Sequence, residues 1–194
     1  PLSVLADEKS YTYNYDYWGD VQDSPDAYTV AGVYTAEAFG LDLNLRNPQG
    51  MFVKENMVYI CDTGNNRIVQ LERTGTVNFE VVRIFDSIQG DTDVQGLASP
   101  TDIAISEEGD IYICDNGNAR IVKVDSDLNY ILQFDLPVDS NVSADSTFQP
   151  SKIVIDTAGR VYCIATSINQ GLCKYEADGT FSGFVGATPV TFDW

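Results

Sequence analysis

The chain has 194 residues, a mass of 21.3 kDa and a formal net charge of −18, from 11 basic and 29 acidic side chains. So acidic a surface repels nucleic acid and anionic lipid, whose recognition needs clustered Lys and Arg. The sequence has no histidine, which excludes Ser–His and Cys–His nucleophile pairs and any imidazole-dependent metal site.

Residues 1–6 read PLSVLA, and Val4–Leu5–Ala6 ahead of Asp7 is similar to the small-residue cleavage site that closes a secretory signal. The expectation is a signal-peptide remnant and an extracellular or cell-surface location; an ordinary apolar terminus is the alternative. Residues 7–27 form a Tyr-rich arm, with Tyr11, Tyr13, Tyr15 and Tyr17 at every second position. Alternation of this kind predicts an extended segment with the rings on one side. Burying them against the body, with Trp18 as anchor, competes with an open aromatic platform for a sugar.

The remainder, 28–194, is organised by a repeat. Pro48, Pro100 and Pro150 are 52 and 50 residues apart, and each opens a similar segment. The units cover about 48–86, 100–136 and 150–186. First strands are predicted at 51–53, 103–105 and 153–155, and second strands at 58–61, 111–114 and 161–164. Third strands follow at 68–71, 121–124 and 172–175, and fourth strands at 79–85, 130–134 and 181–185. Short β-branched or aromatic runs punctuated by Gly, Asn and Asp carry this reading, and nothing sustains a helical period. Four strands in a repeat of about fifty residues is the arithmetic of a β-propeller blade, whereas sandwiches do not repeat a signature at fixed period.

The stretches "VYICDTGNNRI" (58–68) and "IYICDNGNARI" (111–121), each preceded by a proline and a short apolar strand, closely resemble the NHL repeat. The third unit departs from the motif, with Ala165 and Gly171 where the others carry Asp62 and Arg67 or Asp115 and Arg120. The resemblance implies an all-β, closed propeller, usually of about six blades, of which three are present here. Residues 28–34 align with the fourth strands and read as an extra N-terminal strand. The Tyr-rich arm before a propeller is also similar to exported Gram-positive bacterial NHL proteins. A partial chain exposes blade surface that a ring would bury, which predicts self-association or instability.

Asp62, Asn65 and Arg67, with Asp115, Asn118 and Arg120, are the candidate ligand-binding residues. A structural reading stands beside this one: Asp caps turn amides, Gly and Asn adopt left-handed backbone, and Arg ties the loop to its neighbour. The same face takes the connections 86–99 and 137–149, with Asp86, Asp91, Asp93, Asp135, Asp139 and Asp145 in or beside them. They suit Ca²⁺ or a cationic ligand, or are solvated surface. No cofactor is otherwise implied. Cys61 and Cys114 occupy equivalent buried positions, too far apart for a bond; Cys163 and Cys173 flank one loop, within reach of a cross-strand disulfide.

The function that follows is an extracellular scaffold for a protein, a glycan or another small molecule, with no catalytic residue evident and no enzyme expected. The alternative is a metal-dependent lactonase- or lyase-like propeller with its site largely in further blades. Asp102 is the lone first-strand carboxylate near the channel.

Overall fold

In a computed structural model, which describes residues 13–23, 32–90 and 92–186, the β-branched and aromatic runs form strands and the Gly, Asn and Asp clusters turn them. At the N-terminus β1 (Tyr13–Tyr15) and β2 (Val21–Asp23) pair as an antiparallel hairpin. The first blade is β3 (Gly50–Lys54), β4 (Met57–Asp62), β5 (Arg67–Arg73) and β6 (Phe79–Phe85). A small hairpin of β7 (Ser87–Gln89) and β8 (Val94–Gly96) occupies the next connection. The second blade is β9 (Pro100–Ile105), β10 (Ile111–Asp115), β11 (Arg120–Val124) and β12 (Tyr130–Phe134). The third is β13 (Pro150–Ile155), β14 (Val161–Ala165), β15 (Leu172–Tyr175) and β16 (Phe181–Val185).

Each blade is an antiparallel meander in chain order, and β9 lies between β3 and β13, as first strands do around a propeller axis. The predicted all-β propeller architecture is therefore present in all three units. Two cores glue the blades. Between blades one and two, Tyr59, Cys61, Ile68 and Phe85 meet Ile103, Ile105, Ile111 and Ile113. Between blades two and three, Tyr112, Cys114, Ile121 and Phe134 meet Ile153, Val161, Cys163 and Tyr175.

The repeated proline has a structural use. Pro lacks an N–H, so it can open an inner strand without leaving a donor unpaired. Its carbonyl receives the preceding blade: Thr63 Oγ1 donates to Pro100 O at 2.7 Å, and Thr101 Oγ1 to Pro150 O at 2.9 Å. Gly50 is needed for close approach, since a Cβ there would lie 2.6 Å from Asp102 Cα.

Two expectations change at the N-terminus. Of the strand expected at 28–34, residues 28–31 lie outside the described residues, and 32–34 are not strand. The signal-like residues 1–6 and Tyr11 also lie outside them. The arm does not bury its rings: Tyr17 is 92% and Trp18 81% exposed, with Tyr13 and Tyr15 more than half exposed. The cause is a turn that the alternation concealed. Asp16 Oδ1 accepts from the amides of Trp18 (2.9 Å) and Asp20 (3.0 Å), and Gly19 takes φ +86°. Side-chain capping and a glycine at positive φ reverse the chain, so Tyr17 and Trp18 sit at the turn and pack on each other, 5.6 Å apart edge to face.

Candidate functional site

The Asp-x-Gly-Asn-x-Arg loops join β4 to β5 and β10 to β11, and each builds the same clamp. Asp62 is fully buried; its Oδ1 accepts from Arg46 N at 2.7 Å, and its Oδ2 from Asn65 Nδ2 at 2.8 Å and Arg67 Nε at 2.7 Å. Asp115 repeats this with Ala98 N (2.7 Å), Asn118 Nδ2 (2.8 Å) and Arg120 Nε (2.9 Å). Asn65 also donates to Asn44 O, and Asn118 to Gly96 O. Buried carboxylates persist where their lone pairs are met by donors and an opposite charge. Both oxygens of each aspartate are thus engaged inside the chain, and what they hold is the connection arriving from the preceding blade.

The loop backbone differs in detail from the sequence reading. The short 3-10 turns Thr63–Asn65 and Asn116–Asn118 receive no side-chain cap from Asp62 or Asp115. The left-handed residues are Asn66 (φ 54°) and Ala119 (φ 55°), one place after the motif asparagine. Gly64 and Gly117 serve proximity instead: a Cβ on either would fall 2.7 Å from Arg46 O or 2.8 Å from Ala98 O, the carbonyls that accept their amides.

In blade three the clamp is gone, and another device holds the loop. Thr166 N donates to Gln149 O at 3.0 Å, Gln170 Nε2 to Asn141 O at 2.7 Å, and Ile168 is buried in the interblade core.

Asn118 and Arg120 of the second clamp open onto an open polar pocket of about 430 Å³, completed by Gln95, Gly96, Gln133 and Asp135. Arg120 Nη1 donates to Gln95 Oε1 at 2.6 Å, and Gln133 Nε2 to Asp135 Oδ1 at 2.9 Å. Asp135 belongs to the acidic set read from the sequence. Gln95 and Gln133 carry no motif signal and come to the pocket through β8 and β12.

Near the axis, Asp102 Oδ2 accepts from Ile153 N at 3.0 Å, and its Oδ1 lies 3.7 Å from Lys152 Nζ. Lys152 Nζ also donates to Gln49 O at 3.3 Å, so one ammonium touches the inner strands or strand entries of all three blades. Asp91 lies outside the described residues. Among the described residues, no three Cys, Asp or Glu side chains converge as a metal-binding group. All four cysteines are buried free thiols, with Cys163 directly opposite Cys173 across β14 and β15. Burial pushes the Cys61 and Cys114 thiols up, and nearby Asp102 adds to it.

Residues 97–124 match the family model described as the NHL repeat. They run from the clamped connection at Ala98, through β9, β10 and the Asp115 loop, to the end of β11. The chain carries an NHL repeat in a β-propeller. Among solved structures, this chain is similar to a functionally unknown protein from Desulfotomaculum acetoxidans, with TM-score 0.51, 15% identity, and coverage of 90% of this chain and 49% of that one. It is also similar to a streptogramin B lyase structure, with TM-score 0.49, 21% identity, and coverage of 74% and 42%. A third is a catalytically inactive virginiamycin B lyase from Staphylococcus aureus with quinupristin, with TM-score 0.48, 14% identity, and coverage of 88% and 46%. The chain spans less than half the length of each. No curated protein matches it.

These structures correct one expectation. The chain is read from sequence as no enzyme, yet two of the structures similar to it are lyases. Three blades without an evident nucleophile pair are therefore no ground for excluding catalysis, because fold and chemistry are separable.

Proposed function

We propose that this NHL propeller is a binding module outside the cell, taking a donor-rich polar ligand on the face built by residues 62–67, 86–99, 115–120 and 137–149. The observation that carries the reading is the pocket of about 430 Å³, within the roughly 300–1,000 Å³ of small-molecule sites. Gln133 Oε1 and Asp135 Oδ2 accept no hydrogen bond among the described residues, which suits a hydroxyl, amide, ammonium or guanidinium group on a glycan or a protein segment. The net charge of −18 favours basic partners and disfavours nucleic acid. The location rests on Val4–Leu5–Ala6 ahead of Asp7. Binding is also the first step of any turnover, so the same pocket serves a catalytic propeller.

The test is a melting-temperature screen with neutral oligosaccharides and with Lys- and Arg-containing peptides, on the wild type, Gln133→Ala and Asp135→Ala. At least one probe class raises the wild-type midpoint, and both variants lose the rise while keeping their own unliganded midpoint. Were no probe to raise it, or were the variants to respond equally, the pocket would not be the site.

A further inference from the structure

A second cleft lies between blades two and three, at the end of the strands opposite the Asp115 loop. Its volume is about 600 Å³, within the roughly 300–1,000 Å³ of small-molecule sites. One row of side chains accounts for it. In each blade the second-strand tyrosine stands opposite one first-strand residue: Phe52 opposite Tyr59, Ala104 opposite Tyr112, and Val154 opposite Tyr162. The row of blade one faces blade two, and Phe52 packs on the core that joins them. The row of blade two faces blade three, where buried Ala104 and Tyr112 share the second core with Ile153. Ala104 stops at a methyl where Phe52 carries a benzyl group. Interiors are otherwise close-packed, so this joint is short of a ring that the first joint has. The apolar wall left standing is Phe52, Ala104, Ile153 and Ile155.

The rim of the cleft is charged, and mostly of one sign. Glu107, Glu108, Asp110 and Asp156 line it against one ammonium, that of Lys123. Lys123 Nζ is engaged by Asp110 at 2.8 Å and lies 5.2 Å from the centroid of the Tyr112 ring. Asp156 is held by Arg160 at 2.7 Å. Glu107 and Glu108 enter no ion pair among the described residues. The turn that carries them is fixed from blade one, since Lys54 Nζ donates to the carbonyls of Ser106 and Glu107. It is also fixed from within, by Asp110 N donating to Ser106 Oγ at 3.1 Å.

We propose that this cleft binds a small aromatic amine as its cation. The aryl group takes the place beside Ala104 that Phe52 fills in blade one, and the ammonium meets Glu107 and Glu108 at the rim. Apolar contact supplies affinity, and a few convergent polar groups fix the orientation. A carboxylate on the same ring would meet like charge and be rejected. The site shares no residue with the polar pocket at Asp135, so either can fail without the other.

Isothermal titration calorimetry on the whole chain tests this with benzylamine, benzyl alcohol, butylamine and benzoate. Benzylamine binds tightest. The alcohol and butylamine each lack one half of the recognition and bind more weakly, and benzoate gives no heat. Ala104→Phe, which installs the residue of blade one, abolishes benzylamine binding while keeping the wild-type strand signal in circular dichroism. Glu107→Gln with Glu108→Gln, on exposed side chains, lowers benzylamine affinity to that of benzyl alcohol and leaves the alcohol's own affinity unchanged. Should Ala104→Phe fail to fold, the double glutamine variant decides alone. Asp135→Ala, in the other pocket, binds benzylamine as wild type does. The proposal is overturned by absent heat with benzylamine, by equal binding of benzoate, by undiminished binding in either cleft variant, or by loss of binding in Asp135→Ala.

Discussion

Replacing Asp115 with Asn keeps the shape of the side chain and removes its charge, which isolates what the clamp contributes. Asp115 is wholly buried, and Arg120, its partner at 2.9 Å, is 12% exposed. The new amide can still accept from Ala98 N, but it turns a donor toward Arg120 Nε or Asn118 Nδ2, both donors themselves. Breaking one side of a buried, hydrogen-bonded pair destabilises by about 3–5 kcal/mol. In a chain of this size that is a drop in melting midpoint of roughly 6–20 °C. Urea unfolding followed by tryptophan-independent far-UV dichroism reads it. Removing both partners, as Asp115→Leu with Arg120→Met, should destabilise less than Asp115→Leu alone, since no charge is then stranded. Blade three is the internal control: Ala165→Asp places the same carboxylate in a buried site of a repeat whose sequence carries Gly171 in place of the motif Arg, and it should destabilise. If Asp115→Asn stayed within about 0.5 kcal/mol of wild type, the clamp would not be what joins connection to blade.

Gly117→Ala should lower stability by about 1–3 kcal/mol, because the added carbon meets Ala98 O at 2.8 Å; an unchanged urea midpoint contradicts this. Tyr13→Ala with Tyr15→Ala should leave the melting temperature of the propeller unchanged, given their exposure, and a drop would restore the packing role first read from the sequence. The Asn129 side-chain amide, with the Asn129 and Asp127 amides, holds the Asp125 carboxyl below its usual 3.8. A depressed folded value contributes stability above about pH 3.8 that is lost as pH falls below it. Asp125→Asn should therefore flatten the acid limb of the stability profile, measured between pH 5 and pH 2, and leave its slope near neutrality unchanged. All four thiols are buried, so an aromatic disulfide reagent should titrate none in buffer and four in urea; rapid reaction in buffer would show that the blades open.

The blades were legible in the sequence because strand and turn chemistry is local. Alternation within 58–61 or 111–114 decides which side chains share a face, and a proline every 50 or 52 residues marks where each meander restarts. The repeated Asp, Asn and Arg pointed to one loop construction, but not to its partners. Asp62 and Asp115 act on amides 16 and 17 residues upstream, and only the path of the arriving connection brings those within 2.7 Å. For the same reason Gly64 and Gly117 were read as left-handed turn residues, and are instead contact points for a backbone carbonyl. The Tyr alternation predicted a continuous strand because periodicity cannot see that the Asp16 carboxylate will bind the amides of Trp18 and Asp20. Gln95, Gln133 and Asp135 lie up to 40 residues apart in an unremarkable polar sequence. They form one pocket only because β8 and β12 deliver them to the same rim as Arg120. Local pattern determines which elements form; the long-range chain path decides which polar atoms meet, and that is where the candidate site lies.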